Sequence, residues 1–321
     1  MKIKPTDKKI RFSERWNVTE DKAVSTATGS TVEFIFKGDM AVLEFDTTFC
    51  RDPFPHLYVI VDNGAKIEVP IDKYIRIGAD NGEHYVKLII KSAVEGQHRW
   101  YEPMEAKVSL VEVEADDFSE LPEDNRKTIE FIGDSITEGV LIDPYHEKFK
   151  TVSDRVFQDD VTATYAWLTA EKLNLRPIIM GYGAVGTTRS GSGAVPKVYE
   201  SYPCYSHNNP MPSANADYIV INHGTNDAAK EKDVVKPEYE NFLKLVRDRN
   251  PKSKIICLTP FGGYHAELID EIVKEHNEKY SDNVYYINST GWIPREPVHP
   301  LRDGHKIVAE HLAEIMEQEI L

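Results

Sequence analysis

The sequence predicts an all-β sandwich of jelly-roll type followed by an α/β unit with a parallel sheet. Three observations carry this expectation. Apolar and polar side chains alternate up to residue 118 with no long helical period between them. From residue 128 onward, short continuous apolar runs take turns with helical periodicity. The stretch 119–127 between them is acidic, contains a proline and follows neither pattern. A length of 321 residues fits two domains of about 150 residues each. The expected boundaries are therefore a sandwich at 1–118, a linker at 119–127 and an α/β domain at 128–321.

In the first domain, Thr31 to Phe36 and Ala41 to Phe45 read as half-buried strands. His56 to Val61 runs into Asp62-Asn63-Gly64 and out through Lys66 to Val69, a hairpin whose Asn-Gly supplies the positive φ angles of a tight turn. Tyr85 to Ile90 and Ala106 to Val113 complete the pattern. Many short strands without helices point to an antiparallel sandwich. In the second domain the apolar runs Thr128 to Ile132, Pro177 to Met180, Tyr218 to Ile221, Lys254 to Leu258 and Val284 to Ile287 read as fully buried parallel strands. Helical patterns lie at Thr164 to Leu173, Glu238 to Arg247, Ala266 to His276 and Gly304 to Ile320. Such alternation builds a sheet covered on both faces, with its site at the carboxyl ends of the strands.

Composition narrows the function. Hydrophobic residues make up 41% and charged residues 28%, the balance of a water-soluble globular protein. Lys and Arg number 38 against 53 Asp and Glu, a net charge of −15, so nucleic acid and anionic bilayers meet repulsion. Nothing in the chain offers the roughly 18 apolar residues of a spanning helix, and the basic start has no apolar run behind it. The expectation is a cytoplasmic protein, with secretion open if a leader has been removed. Three well-separated cysteines, Cys50, Cys204 and Cys257, suggest buried thiols and no disulfide framework.

Four segments carry chemistry. Ile132-Gly133-Asp134-Ser135-Ile136-Thr137-Glu138-Gly139 puts a serine at a strand-to-helix turn, where its hydroxyl and its own N–H face the space above the sheet. The competing reading is a helix cap at Asp134 or Ser135. Gly181 to Thr188 is glycine-rich, so the Gly186 N–H can approach a developing oxyanion, unless the cluster is a turn and no more. Asn222-His223-Gly224-Thr225-Asn226-Asp227 offers the neutral amide of Asn226 at the same edge, with His223 as a candidate substrate contact. Glu296-Pro297-Val298-His299-Pro300 places a histidine before the last helix, where it can serve Ser135 as general base, and Glu296 can accept its other N–H.

Taken together, these blocks resemble the GDSL or SGNH hydrolase superfamily, over about residues 128–321. GDSITEG at Ser135 and GTND at Asn226 are the most specific, joined by the Gly-x-x-Gly turn ending at Gly186 and by His299-Pro300 with the Gly304-His305 that follows. The resemblance implies a flavodoxin-like three-layer domain and an ester hydrolase: an esterase, a lipase or a carbohydrate deacetylase. It implies Ser135 as nucleophile, His299 as base, and an oxyanion hole of the Ser135 and Gly186 amides with the Asn226 side chain. The family's Asp-x-x-His is Glu296-x-x-His299 here, so the third member of a triad is Glu296 or a backbone carbonyl, and His305 is the second candidate base. A sandwich ahead of such a domain resembles two-domain carbohydrate acetyl esterases, which implies removal of O-acetyl groups from poly- or oligosaccharides. Trp292 is then a candidate to stack on a sugar face, or a core tryptophan. The rival readings are a lipase or lysophospholipase-type esterase and a non-catalytic carbohydrate-binding protein.

No metal or cofactor is expected. His299, His305 and His311 recur every six residues, off the i, i+4 face of a helical zinc pair; Asp62-Asn63-Gly64 lacks the rest of a calcium loop; and Gly181 to Gly186 lacks the lysine of a phosphate-binding loop.

Overall fold

A computed structural model describes residues 1–143 and 155–321. The first domain is one antiparallel sheet of ten strands, dominated by Thr31–Phe45 and Tyr74–Ser92, which pair along most of their length. In Thr31–Phe45 the inward residues are Val32, Phe34 and Phe36 on even positions and Ala41, Leu43 and Phe45 on odd ones. The change of parity falls at the register shift between Gly38 and Met40, where Gly38 adopts a φ of 114°. Across the shift one residue of this strand stands opposite three of Tyr74–Ser92, and the side chains beyond it change face, so both halves of a bent strand meet a common core. The expected helix-free, antiparallel domain is what forms. Its hairpin joins His56–Val61 to Ile67–Pro70, but the positive φ angles fall on Asp62 and Asn63, with the Gly64 N–H closing back on the Val61 carbonyl at 2.8 Å. The last strand, Asp117–Ser119, pairs with Ile35 to Lys37, and the parallel sheet starts at Thr128.

The second domain is a five-stranded parallel sheet in the order Arg176–Gly181, Thr128–Gly133, Tyr218–Asn222, Lys254–Leu258, Tyr285–Ile287. Its helices are α1 (Ser135–Glu138), α2 (Arg155–Gln158), α3 (Tyr165–Lys172), α4 (Val198–Ser201), α5 (Lys232–Arg249), α6 (Ala266–Tyr280) and α7 (Arg302–Glu319). Val235, Phe242, Leu268 and Ile272 of α5 and α6 bury one face of the sheet; Tyr165, Val308 and Leu312 of α3 and α7 bury the other. This is the expected three-layer arrangement. The first strand in sequence lies second in space, so the connections leave it in opposite directions, and past its carboxyl end is the point where sheets of this kind form their binding crevice.

The two domains share buried contacts. Ala27 and Trp100 belong to one core cluster of the α/β domain and Ile89 to the other. Arg15 pairs with Glu130 at 2.9 Å, both fully enclosed, and Tyr202 Oη donates to the second Glu130 oxygen at 3.1 Å. Cys257 is buried as expected, while Cys50 and Cys204 are half-buried. Among the described residues no helix is long and apolar enough to cross a membrane.

Candidate active site

Ser135 is the first residue of α1, two positions beyond the strand Thr128–Gly133. Asp134 is the N-cap: its carboxylate accepts the Ile136 N–H at 3.0 Å. At Gly133 a Cβ would lie 2.0 Å from Thr137 Oγ1, so the helix can press onto the strand end only over a glycine. The Ser135 N–H heads the helix and is one of those a helix start leaves without an intrahelical partner.

His299 sits in the loop before α7, and its Nε2 lies 2.8 Å from Ser135 Oγ. Burial lowers its pKa below the ordinary imidazole value; the Glu95 carboxylate acts upward and the Arg155 guanidinium downward. Asn226 also arrives at this edge. Its Nδ2 donates to Asp134 Oδ2 at 3.1 Å and to the Val185 carbonyl at 3.0 Å. Asp134 is completely enclosed, and burial pushes its carboxyl up to about 7, against the Ile136 hydrogen bond.

The other expected residues behave differently. The Gly186 N–H is not waiting for a ligand: it donates to the Arg189 carbonyl at 3.1 Å and closes a turn. What holds that turn is Asp227, whose carboxylate accepts both N–H groups and both hydroxyls of Thr187 and Thr188 at 2.6 to 3.0 Å. Burial raises Asp227, and these four bonds bring it below the usual carboxylate range. Glycine is required at 186 because a Cβ there would come within 2.6 Å of Asp227 Oδ1. Glu296 makes no hydrogen bond or ion pair with His299: it belongs to the exposed run 294–298, and its side chain is in solvent. His223 is no substrate contact. It is fully buried behind the Asn226 turn with its ring edge-on to Phe242, and burial lowers its pKa to about 4, against the upward pull of Asp227.

Trp292 is half-buried against the core beside α7, its ring 5.2 Å from that of His311. His305 lies inside the first turn of α7, wholly enclosed, and its Nδ1 accepts the Tyr165 N–H at 3.0 Å. Burial takes it down to about 3. It caps the start of α3 and is unavailable to Ser135.

Sequence reading missed what the sandwich contributes. Glu95 lies directly over Gly183, where a Cβ would come within 2.2 Å of its Cγ, and it contacts Ser192 Oγ and Arg155, each at 3.2 Å. Arg99 enters the α/β domain and pairs with Glu138, the last residue of α1, with both side chains fully buried. Neither residue stands in a recognisable pattern, so no local signal marks them. Tyr264 follows the strand Lys254–Leu258 and carries the Arg295 guanidinium over its ring, 5.0 Å from the centroid.

A serine and a histidine in hydrogen-bond contact where a doubly wound sheet reverses its connections define a class, the serine acylhydrolases built on a flavodoxin-like sheet. Residues 131–307, more than half of the chain, match the GDSL-like Lipase/Acylhydrolase family, and the chain belongs to that family. It is a carboxylic ester hydrolase by family. Among solved structures it resembles a family two carbohydrate esterase from Cellvibrio japonicus, at 20% identity and a TM-score of 0.83 over 99% of this chain and 97% of that one. An acetyl xylan esterase from the rumen bacterium Butyrivibrio proteoclasticus matches at 18% identity and a TM-score of 0.79, covering 100% and 99%. A family two carbohydrate esterase from Clostridium thermocellum, solved in complex with cellohexaose, matches at 21% identity and a TM-score of 0.76, covering 96% and 98%. These likenesses span both domains, so the sandwich and the three-layer domain form one shared architecture. No curated protein matches the chain in sequence.

Proposed function

We propose that the protein removes O-acetyl groups from carbohydrates, poly- or oligosaccharides, through an acyl-enzyme, with Ser135 as nucleophile and His299 as base. The observation that carries the reading is the 2.8 Å contact between His299 Nε2 and Ser135 Oγ at the crevice. Neutral His299 accepts the hydroxyl proton as Oγ attacks the ester carbonyl. The resulting imidazolium then protonates the departing sugar oxygen, which leaves an acetyl group on Ser135. Water, deprotonated by the same imidazole, attacks the acetyl carbonyl and releases acetate.

The oxyanion is served by the Ser135 N–H and by Asn226. Both amide hydrogens of Asn226 are engaged at rest, so it serves by sharing the one now given to Asp134 or Val185. Gly186 supports the hole through the Asp227 clamp instead of donating. Because Glu296 does not reach the imidazole, the reading is a serine–histidine pair without a Glu296 arm.

The support for a sugar substrate is the whole-chain likeness to the carbohydrate esterases named above. The test is acetate release from acetylated xylo-, manno- and chito-oligosaccharides, run beside acetyl and long-chain p-nitrophenyl esters. Ser135→Ala is expected to lose about 10⁴-fold or more in turnover. Release near the wild-type rate would remove Ser135 from the mechanism, and a preference for long acyl chains would favour the lipase reading.

A further inference from the structure

The His299 imidazole must become a cation as it takes the Ser135 proton, yet the acid expected to balance that charge, Glu296, lies in solvent. A different carboxylate stands over the carboxyl edge of the same sheet. Gly133 and Gly181 are register partners at the carboxyl edge of the sheet. Two residues beyond the first stands Ser135, and two residues beyond the second stands Gly183, on which the Glu95 side chain lies. Glu95 is fixed from three sides: Gly183 below it, Ser192 Oγ on one oxygen and Arg155 on the other.

We propose that Glu95, supplied by the sandwich, is the positioning carboxylate of the catalytic histidine, favouring through space the imidazolium that His299 becomes as Ser135 attacks. The proposal rests on His299 being the base. The charged groups that face His299 are Glu95 from the sandwich and Arg155 from α2, and Glu95 is the stronger of the two. Within α7, His305 is buried and neutral, and Arg302 is held by Asp143 and Asp160. On the serine side, Asp134 is turned to Asn226 and the Ile136 N–H. Attraction in a partly desolvated crevice is stronger than in water, so an acid that never touches the ring can still select its charged form.

The arrangement makes the sandwich a working part of the active site. It also explains why Gly183 must be a glycine: any side chain there would displace Glu95.

The test reads the imidazole directly. In the full-length protein, the His299 resonance is assigned by its loss in His299→Ala and titrated by NMR, alongside the pH profile of acetate release. Glu95→Gln is expected to lower the His299 midpoint by about half to one pH unit. It should also lower kcat by about threefold to tenfold, the same quantity read as a rate, with KM little changed. Arg155→Gln is expected to move the midpoint the opposite way, and it carries the test if Glu95→Gln does not fold. A midpoint unmoved in both variants, or moved in the same direction by both, overturns the proposal. A change confined to KM makes Glu95 a substrate contact and also overturns it. A midpoint that moves as expected while acetate release follows no histidine limb removes His299 as base, and with it the positioning role of Glu95.

Discussion

Arg99 of the sandwich and Glu138, the last residue of the helix that begins at Ser135, form a fully buried ion pair across the domain boundary, with the second of their two hydrogen bonds at 3.1 Å. Burial pushes the Glu138 carboxyl up and Arg99 pulls against it. Deleting either partner leaves the other charge enclosed and unmatched. Arg99→Ala is expected to cost about 3 to 5 kcal/mol in denaturant unfolding, whereas the double change Arg99→Met with Glu138→Leu is expected to recover most of that loss. A double variant no more stable than the single one would show that the pair has a role its charges do not explain.

The Asn226 turn sets the second prediction. Losing one oxyanion donor typically costs on the order of 100-fold to 1000-fold in turnover, so Asn226→Ala should fall in that range, while its loss of the bonds to Asp134 and Val185 lowers unfolding stability by about 1 to 3 kcal/mol. Gly186→Ala should lose activity by a different route, because its Cβ would come within 2.6 Å of Asp227 Oδ1 and disturb the clamp on Thr187 and Thr188. Full activity in either variant would remove that residue from the account.

Glu296 offers a contrast within one loop. It is exposed and unattached to His299, so Glu296→Ala should change kcat by less than about twofold, while His299→Ala abolishes turnover. A loss in Glu296→Ala comparable to that of His299→Ala would restore the triad.

Activity and stability respond to acid through different histidines. His299 works as a base only when neutral, and burial lowers its pKa, so acetate release should decline on acidification through a midpoint below the ordinary value of about 6.5.

His223 and His305 are depressed to about 4 and about 3. Between those values and about 6.5 the unfolded chain binds protons that the folded chain refuses, so stability is full above that upper value and is lost as pH falls. His223→Leu should flatten the loss of stability between pH 6.5 and 4 while leaving kcat unchanged. An unaltered acid slope would show that His223 is not the group responsible.

The primary sequence alone determined the two fold classes, the seat of the serine and the identity of its three loops. These are local matters: period-two and apolar-run patterns decide strands, and glycine beside Ser135 decides a strand-to-helix turn. It also named His299 as a base, since a histidine before the last helix of such a sheet has the same crevice to face. Only the tertiary structure decided which of the nearby polar groups do the supporting. Glu296 is three residues from His299 along the chain yet lies in water, while Glu95, some 200 residues away, is held over Gly183 by Ser192 and Arg155. Gly186 looked like a donor and turned out to be a space for the Asp227 carboxylate. His223 looked like a contact and turned out to be core. Orientation and burial depend on what the rest of the fold packs against a residue, and that information is spread over both domains.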